Sequence, residues 1–599
     1  MDGEIVNVSA EKERALPPED EVARGAAPDD VADAVDEQVL RALAQVTGGA
    51  SPIALATAWF DWAAHMAIAP ARRMSLMGDA AAIYTRAILS MMAPPNGLGG
   101  AGDASDAADE AGAFIESKIR VLETAFDEWD ALIDRTADAP GVERRHRDAL
   151  KFFGHLMAEP WRPENNFFTN KEALERTFEE GGANLVRGWE AFCKDTLSAV
   201  TNHEDAGVDG FKVGVDLAAS EGVVVFKNDL FELIQYAPTT DAVKAEPVFI
   251  VPAWIMKYYI LDLSPHNSLV RFLTGEGFTV YMMSWRNPGK EHSELSFDDY
   301  REKGVMTALD VIEKRNPSGK VHGVGYCLGG TLLSIAAAAM ARAGDKRLAS
   351  VTLLAAQTDF RDAGELSLFI GEDQLEWLEA SMDAQGYLGV DQMAGAFRLL
   401  RARELIWGKM RRSYFLGEED KLFDLLVWNA DATRMPRRMH SEYLRKLFLH
   451  NDFVQGRFEV DGEPVAISDI RAPIFVLGTE KDHVAPWRSV YKIHLFADAD
   501  ITFVLTNGGH NAGVVSQPGR RRRRHFVRAK ADLDHYVGPD EWRDGAEERD
   551  GSWWLTWAAW LGEKSSGSAA PPALTLSDHP DNLLSGAAPS APGAYILEK

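Results

Sequence analysis

Cysteine is almost absent from this chain, which has two among 599 residues, Cys193 and Cys327. Two cysteines cannot build the disulfide framework of a small secreted protein, and such a composition is typical of a reducing cytoplasm. Positive charge is also scarce, because 63 Lys and Arg stand against 91 Asp and Glu, for a formal net charge of -28. A general nucleic-acid binder needs the opposite sign to meet a phosphate backbone, so that class is excluded.

Long apolar runs are missing as well. No uninterrupted apolar stretch reaches the roughly 18 residues of a membrane-spanning helix, and the nearest candidate, IALATAWFDWAAHMAIA, is interrupted by Asp61 and His65. The first residues, MDGEIVNVSAEKERALPPEDEVARG, lack the basic stretch and apolar core of a signal peptide. These absences predict a soluble cytoplasmic protein without a membrane span.

The length exceeds what one hydrophobic core requires, so several structural units are expected. Residues 1–40 hold twelve acidic and three basic side chains, a composition typical of a disordered tail. Helical patterning follows, and Pro70 is expected to break its first stretch into two helices. The sequence predicts an acidic disordered tail at 1–50, a helical domain at 51–210 with a Gly/Ala/Asp linker at 94–112, an α/β catalytic domain at 211–562 and a flexible C-terminal tail at 563–599.

From about residue 210, short apolar runs alternate with helical stretches, one of which opens on the capping pair Ser296 and Asp299. This alternation predicts an α/β fold whose mostly parallel sheet is covered by helices on both faces. Residues 357–470 interrupt the alternation and are interpreted as a cap inserted over the carboxyl edge of the sheet. The apolar runs are PVFIVP (247–252), FTVYMMSW (278–285), KVHGVG (320–325), SVTLLAA (350–356), PIFVLG (473–478) and ITFVL (501–505).

The stretch GYCLGG places Cys327 between a strand-like run and a good helix, LGGTLLSIAAAAMARA. Many esterases carry a nucleophilic serine on such a Gly-x-Ser-x-Gly turn, where small neighbours permit a strained backbone and close packing. The positive N-terminus of the following helix favours a thiolate over a thiol. Cys327 is therefore a candidate nucleophile, and the alternative is a buried structural cysteine in a glycine-rich turn.

Two later strand ends supply candidate partners for the thiol. Asp482 follows the run PIFVLG, and His510 follows ITFVL, which is the chain order of acid and base in α/β hydrolases. A base must reach the nucleophile and an acid must orient the base, so all three belong at one sheet edge. His483 is a rival base, but its side chain should point away from that of Asp482, which favours a supporting role. Taken singly, Asp482 and His510 could be ordinary loop residues.

Stabilising a tetrahedral intermediate requires two backbone N–H donors near the nucleophile. The residue after the nucleophile, Leu328, is one candidate. The loop after PVFIVP supplies the other from the backbone of Ala253, Trp254 and Ile255, with Trp254 as the central choice. The alternative is an ordinary connection between a strand and a helix.

Seven motifs stand in the order seen in class I polyhydroxyalkanoate synthases, and the resemblance runs from about residue 140 to 562. It implies an α/β-hydrolase fold with a mobile cap and an N-terminal helical domain linked to dimerisation and granule association. It also implies Cys327 as the acylated nucleophile, His510 as the base and Asp482 as its partner. Asp262, Trp428, Asp431, Tyr443 and Asn451 match positions that the family keeps near the site, although a core or loop role is as plausible. The motifs are KYYILDLSPHNSLVRFL, MSWRNPG, GYCLGGT, FDLLVWNADAT, GTEKDHVAPW, GGHNAGV and GSWWLTWAAWL.

The same resemblance implies (R)-3-hydroxyacyl-CoA as substrate, usually short-chain such as 3-hydroxybutyryl-CoA, and a growing polyester as product. It further implies a homodimer at the surface of polyester granules, with no cofactor and no metal. Two features depart from the family: Met256 stands where Asn is usual, and Arg520–Arg524 form an unusual basic run. That run is interpreted as a solvated face, with attraction of CoA phosphates as the alternative.

Two other functions fit the sequence less well. A cysteine-dependent esterase or polyester depolymerase would use the same three residues with water as the acceptor. A non-catalytic granule-surface protein would use residues 52–93 and GSWWLTWAAW as adhesive surfaces. The spacing of the three candidate catalytic residues argues against the second alternative.

Overall fold

A computed structural model describes residues 51–93, 104–201, 211–316, 318–390, 392–393, 403–419, 423–532 and 534–599. The predicted acidic tail, residues 1–50, lies outside the described part of the chain, as do residues 94–103 of the predicted linker.

The N-terminal region is helical, as predicted. Ser51 caps the first helix by accepting a hydrogen bond from the Ala54 N–H at 3.3 Å, and Pro70 begins the second helix. None of the helices in the described part of the chain combines the length and the apolar character needed to cross a bilayer. The helices are α1 (Pro52–Ala67), α2 (Pro70–Met92), α3 (Ala104–Ala137), α4 (Arg144–Ala158), α5 (Lys171–Glu179) and α6 (Ala183–Thr201).

The predicted linker is wrong over its second half, because α3 already begins at Ala104. The stretch ASDAADEAGA was interpreted as a loop for its small and acidic residues. Alanine is the strongest helix former, and one glycine costs only about 1 kcal/mol within a long helix. Continuity with the amphipathic sequence that follows is sufficient to extend the helix over these residues.

The second domain is built on a ten-stranded sheet in the order β1-β2-β7-β4-β8-β9-β14-β15-β16-β17. The six central strands, from β7 to β15, run parallel, and antiparallel pairs flank them on both sides. The strands of the sheet are β1 (Gly222–Lys227), β2 (Phe231–Tyr236), β4 (Val248–Val251), β7 (Val280–Trp285), β8 (Val321–Tyr326), β9 (Leu348–Leu354), β14 (Ile474–Thr479), β15 (Ile501–Thr506), β16 (Arg524–Lys530) and β17 (Glu547–Asp550).

Short strands pair outside this sheet, in two-stranded ladders. They are β3 (Val243–Lys244) with β18 (Ser568–Ala569), β5 (Asp262–Ser264) with β6 (Asn267–Ser268), β10 (Tyr387–Leu388) with β11 (Met435–Pro436), and β12 (Phe458–Val460) with β13 (Glu463–Val465).

Helices connect the strands. The α-helices are α7 (Leu269–Gly275), α8 (Phe297–Asp299), α9 (Thr307–Arg315), α10 (Leu328–Arg342), α11 (Glu372–Gln385), α12 (Asp424–Ala430), α13 (Arg437–Tyr443), α14 (Trp487–Tyr491), α15 (His510–Val514), α16 (Pro539–Gly545) and α17 (Trp553–Glu563). Stretches of π-helix occupy Tyr300–Met306, Arg403–Trp407, Met410–Phe415 and Leu444–Leu449. Short 3₁₀ turns lie at Glu159–Trp161, Pro163–Asn165, Phe167–Thr169, Tyr258–Leu261, Lys290–His292, Gly364–Phe369, Ile467–Asp469, Lys492–Leu495 and Tyr595–Leu597.

Both faces of the sheet are buried, as the continuous apolar runs predict. Successive residues of β4 alternate between two hydrophobic clusters, with Phe249 and Val251 in one and Val248 and Ile250 in the other. The first cluster includes the apolar side chains of α10, and the second includes the tryptophans of α17. This confirms the predicted fold class.

The insertion between β9 and β14 carries helices α11 to α13 and two of the small ladders. The N-terminal helix α6 is bound to it: the side chain of Asn184 donates to the Phe415 carbonyl at 2.7 Å, and Arg187 donates to the Gly417 carbonyl at 3.0 Å. A Cβ atom at Gly188 would lie 2.0 Å from the Tyr414 carbonyl oxygen. Glycine is required for this approach, and the helical region therefore supports the cap insertion directly.

The prediction of a flexible C-terminal tail is wrong. Strand β18 pairs with β3, and the Val224 N–H of edge strand β1 donates to the Pro589 carbonyl at 2.8 Å. Tyr595 and Ile596 are buried. The segment has little regular secondary structure, but the unpaired edge of the sheet offers its backbone hydrogen-bond partners that composition does not reveal.

Candidate active site

Cys327 occupies a strained turn between β8 and α10. Its backbone has φ 53° and ψ -123°, in the positive-φ region that costs a non-glycine residue free energy. A Cβ at Gly325 would lie 2.2 Å from the Gly330 Cα, and one at Gly329 would lie 2.1 Å from the Val251 carbonyl oxygen. The glycines of GYCLGG are therefore required for the close packing that holds the thiol at the head of the helix.

Asp482 and His510 meet as the sequence predicts. The two side chains are joined by a hydrogen bond of 2.8 Å between His510 Nδ1 and Asp482 Oδ2. Asp482 also accepts hydrogen bonds from the Thr479 hydroxyl at 2.9 Å and from the N–H groups of Val484 and Ala485 at 2.9 and 2.8 Å. Burial acts to raise the pKa of Asp482, but His510 and these donors outweigh it and lower the pKa below its ordinary 3.8.

His510 also lies close enough to Cys327 for the two side chains to interact electrostatically. Burial acts to lower the pKa of His510, but the neighbouring Asp482 carboxylate and Cys327 side chain raise it well above 6.5. Asp482 thus favours the charged form of the imidazole. Cys327, Asp482 and His510 come from separate strand ends at one edge of the sheet.

Sequence reasoning missed two residues beside this group. The Tyr326 ring lies against the His510 ring, with centroids 5.7 Å apart and planes at 33°, and its hydroxyl donates to Asn511 Oδ1 at 2.7 Å. Tyr326 therefore packs beside the imidazole, and Asn511 holds the Tyr326 hydroxyl. Tyr326 is the immediate neighbour of Cys327 in GYCLGG and Asn511 that of His510 in GGHNAGV, and that adjacency was the available signal.

A cavity of about 90 Å³ opens beside Cys327, between the sheet edge and the cap. It is mostly apolar, which keeps water from the thiol. Among the described residues, no group of three or more His, Cys, Asp or Glu is arranged to hold a metal ion. The lining residues are Ile255, Cys327, Leu328, Thr331, Ala355, Gln357, Phe360, Leu366, Ile370, Met393, Met435, His440, Tyr443, Leu444, Phe448, Val484 and Ala485.

Tyr443 and Asn451, expected near the site, shape this cavity. Tyr443 lines it, and burial raises the pKa of its phenol well above 10, so the hydroxyl is neutral. Asn451 has a φ of 53°, donates to Asp359 at 2.9 Å and accepts from the Phe360 N–H at 3.1 Å. Asn451 thus fixes the backbone of Phe360, which is part of the cavity wall.

Trp428 and Asp431 act on the loop after β4 instead. The Trp428 indole donates to the Lys257 carbonyl at 2.7 Å, and the Tyr259 hydroxyl donates to Asp431 at 3.0 Å. The buried Lys257 ammonium donates in turn to the carbonyls of Tyr595 and Glu598, at 3.3 and 2.5 Å. The C-terminal segment therefore anchors the loop that was predicted to supply an oxyanion donor.

The two predicted oxyanion donors differ in their surroundings. Leu328 lines the cavity beside Cys327, and so does Ile255. The Trp254 indole packs away from it, against the rings of Phe297, Tyr300 and Tyr443 at 5.7 to 5.9 Å between centroids. The backbone N–H groups of Leu328 and Trp254 stay predictions as oxyanion donors.

Two supporting assignments are corrected. His483 is exposed while Asp482 beside it is buried, so their side chains diverge as predicted, but His483 does not line the cavity. Asp262 does not line it either. Its carboxylate accepts the hydroxyls of Ser220 and Ser268 within the small β5–β6 hairpin region. Asp262 therefore stabilises the fold and has no direct contact with the site.

The basic run lies between α15 and β16. Arg523 donates to the carbonyls of Asn507 and Ala512, and Arg520 donates to the Val515 carbonyl at 2.8 Å. Arg521 and Arg522 are exposed. The run thus braces the loop that follows His510 and also presents charge to solvent.

The parallel sheet, the strained turn at Cys327 and the hydrogen bond between His510 and Asp482 are typical of an α/β-hydrolase fold. Residues 246–516 match the family model described as alpha/beta hydrolase fold. Residues 115–273 match the model of the poly-beta-hydroxybutyrate polymerase (PhaC) N-terminus, and residues 30–72 match that of the poly-beta-hydroxybutyrate polymerase N terminal region.

Similar proteins give the same assignment. The chain is 38% identical to a poly(3-hydroxyalkanoate) polymerase of Methylorubrum extorquens over 463 residues, which cover 77% of this chain and 75% of the relative. It is 35% identical to the poly(3-hydroxyalkanoate) polymerase subunit PhaC of Cupriavidus necator over 471 residues, 77% of this chain and 78% of the relative. The chain belongs to the poly(3-hydroxyalkanoate) polymerase family and is an acyltransferase.

Proposed function

We propose that this protein polymerises short-chain (R)-3-hydroxyacyl groups, such as 3-hydroxybutyryl, from their CoA thioesters, with Cys327 as the acylated nucleophile. The observation that carries the proposal is the strained turn that holds Cys327 at the same sheet edge as His510, whose ring is hydrogen-bonded to Asp482 at 2.8 Å. Membership of the polymerase family supports the same reaction.

In the first half-reaction, the Cys327 thiolate attacks the thioester carbonyl. The resulting oxyanion is held by backbone N–H groups, for which Leu328 and Trp254 are the candidates. The C–S bond to CoA then breaks, and His510 gives its proton to the departing CoA thiolate. Exchange of one thioester for another is nearly isoenergetic, so the acyl-cysteine forms at little cost.

In the second half-reaction, neutral His510 takes the proton of a chain-end hydroxyl. The hydroxyl oxygen attacks the acyl-cysteine carbonyl, an oxygen ester forms, and the Cys327 thiolate leaves to restore the starting state. Asp482 orients the ring and stabilises its charged form through the Nδ1 hydrogen bond. Conversion of a thioester to an oxygen ester drives chain growth.

The apolar wall of the cavity favours transfer over hydrolysis. Few of its lining groups would hold water beside the acyl-cysteine, whereas an esterase must admit it. A non-catalytic granule protein would not require the strained turn at Cys327 or the hydrogen bond between His510 and Asp482. The polymerase, the esterase and the non-catalytic protein each predict a different outcome from the same CoA thioester.

The deciding experiment supplies 3-hydroxybutyryl-CoA and follows free CoA, sedimentable polymer and the intact mass of the protein. Wild type should release CoA, form polymer and carry the acyl group on Cys327, whereas Cys327→Ala should lose all three. Cys193→Ala is the matched control, because that thiol is exposed and does not line the cavity. Polymer formation by Cys327→Ala would refute the assignment, and CoA release without polymer would indicate a hydrolase.

We also propose association with the granule surface as a homodimer. Helices α1 and α2 expose large apolar side chains, including Phe60 at 70% and Met74 at 74%, which offer an adhesive face for a polyester surface. Co-sedimentation with isolated polyester granules should fall when Trp59, Phe60 and Met74 are changed to Ser. Retention of those variants on granules would contradict the surface, and light scattering reports the oligomeric state.

A further inference from the structure

Two polar side chains in the cavity wall lack partners. Gln357 and His440 line the cavity beside Cys327 and are only 6% and 5% exposed. Among the described residues, nothing accepts a hydrogen bond from Gln357 Nε2, and nothing pairs with His440 Nδ1. An unsatisfied buried polar group costs about 1–3 kcal/mol, so two of them in one small apolar cavity indicate a bound polar atom.

Both side chains are held in place by their surroundings. The Thr331 hydroxyl donates to the Gln357 carbonyl at 2.7 Å, which fixes that backbone at the end of β9. His440 lies on α13, one turn before Tyr443, and their rings pack with centroids 6.1 Å apart. The two groups therefore come from different parts of the chain, one from the segment just after β9 and one from α13.

The chemistry of the two groups suits a hydroxyl. A glutamine amide donates, and a neutral imidazole can accept at one nitrogen. Burial lowers the pKa of His440 to about 4, so its ring is neutral at neutral pH. A hydroxyl both accepts and donates one hydrogen bond in this setting, and it satisfies both groups together.

We propose that Gln357 and His440 bind the 3-hydroxyl of the acyl group carried by Cys327, and that they select 3-hydroxyacyl thioesters over thioesters lacking this hydroxyl. The inference rests on the proposed function, since it requires an acyl group on Cys327. A cavity of about 90 Å³ suits a short acyl chain, because a cavity of about 150 Å³ already holds benzene. Gln357 and His440 would then act as specificity-determining residues.

The test compares 3-hydroxybutyryl-CoA with butyryl-CoA, which lacks the hydroxyl. Single-turnover CoA release gives kcat/KM for acylation by each, and intact mass locates the adduct on Cys327. Wild type should favour the hydroxylated substrate by about 10–100-fold, because the deoxy analogue leaves both groups unpaired. His440→Leu and Gln357→Leu should each lower the ratio by about 3–10-fold, because the remaining partner still contributes its own hydrogen bond.

Two variants separate hydrogen bonding from shape. His440→Gln keeps a polar partner and should retain more of the preference than His440→Leu. Met393→Leu alters an apolar part of the same wall and should leave the ratio unchanged. Each ratio is measured on a single preparation, so a smaller folded fraction cancels.

The outcomes are distinguishable. A wild-type ratio near one, or an unchanged ratio in both leucine variants, would overturn the inference while leaving Cys327 as the nucleophile. Absence of any adduct on Cys327 with either substrate would overturn the proposed function and this inference together. A ratio that falls in His440→Leu and Gln357→Leu but not in Met393→Leu supports the assignment.

Discussion

Two buried carboxylates in this protein have similar surroundings and different consequences. Asp482 is 7% exposed and Asp262 is 1% exposed, and each accepts hydrogen bonds from hydroxyl and backbone N–H donors. Burial acts to raise both pKa values. The net direction nevertheless differs, because the pKa of Asp482 is lowered and that of Asp262 is raised.

The two pKa values shift in opposite directions because the two carboxylates are bonded to different groups. Asp482 is bonded to His510, whose positive charge favours the ionised carboxylate. Asp262 is bonded to the neutral hydroxyls of Ser220 and Ser268, which only partly offset its burial. Burial and hydrogen bonding therefore do not identify a catalytic carboxylate by themselves. Contact with a titratable base that also reaches a nucleophile does.

The two carboxylates should differ most in their effect on kcat. Asp482→Asn should lower kcat for CoA release by about 10²–10⁴-fold, because the amide no longer stabilises the charged imidazole. Asp262→Asn should leave kcat per folded molecule within about 3-fold, since this side chain does not line the cavity. Steady-state assays normalised to folded protein test both. A comparable loss in the two variants would remove the distinction.

Replacement of Asp262 should instead lower the stability of the fold. Asp262→Ala leaves two buried serine hydroxyls and the Ser220 N–H without their acceptor, and should reduce the free energy of unfolding by about 1–3 kcal/mol. Urea unfolding followed by tryptophan fluorescence measures it. Asp229→Ala removes an exposed carboxylate and should change stability by less than about 0.5 kcal/mol. Equal effects at the two positions would contradict the role given to Asp262.

Removal of a hydroxyl that donates to each carboxylate should have a smaller effect on kcat. Thr479→Val removes the 2.9 Å hydrogen bond to Asp482 at nearly constant volume, and should lower kcat by about 3–10-fold through a less well oriented His510. Ser268→Ala removes the corresponding donor to Asp262 and should leave kcat unaltered. CoA release by both variants is the measurement, and a fall in the Ser268 variant alone would reverse the comparison.

The smallest effect is the pH dependence of stability. The folded state binds the Asp262 proton more tightly than the unfolded state, because its pKa is raised from 3.8. Wild type should therefore gain stability relative to Asp262→Asn as the pH falls from the raised value to 3.8, below which both states carry the proton and the gain stays constant. Asp299, whose pKa is lowered by Lys303 and Ser296 despite burial, should behave oppositely: wild type loses stability relative to Asp299→Asn as the pH falls through 3.8. Urea midpoints between pH 6 and 3 give both signs, and equal signs would contradict them.

Much of the site followed from local patterns. Cys327, Asp482 and His510 each come directly after a run that forms a parallel strand, and the carboxyl ends of such strands meet at one edge. The turn chemistry of GYCLGG added the reason for the glycines, and the structure places them where no Cβ fits. Local sequence was sufficient because the sheet geometry converts strand order into proximity.

The misassigned residues depend on contacts distant in sequence. Asp262 looks no different from a site residue within KYYILDLSPHN, and its partner Ser220 lies 42 residues away. The C-terminal segment has a loose composition, but it packs on strands more than 350 residues earlier. The Val224 N–H of edge strand β1 donates to the Pro589 carbonyl, and Glu232 of β2 accepts from the N–H groups of Ala594 and Tyr595. Such pairings have no local signature in either segment.

The sequence by itself determined the α/β architecture, the three residues of the candidate triad and their order, because apolar runs, glycine spacing and strand ends are local properties. Only the tertiary structure decided which polar groups face the thiol. It brought Gln357 from the sheet edge and His440 from the cap to one cavity, and it removed Asp262 from the site. The physical reason is that packing of an inserted cap on a sheet depends on complementary surfaces, and these form only when the chain has folded.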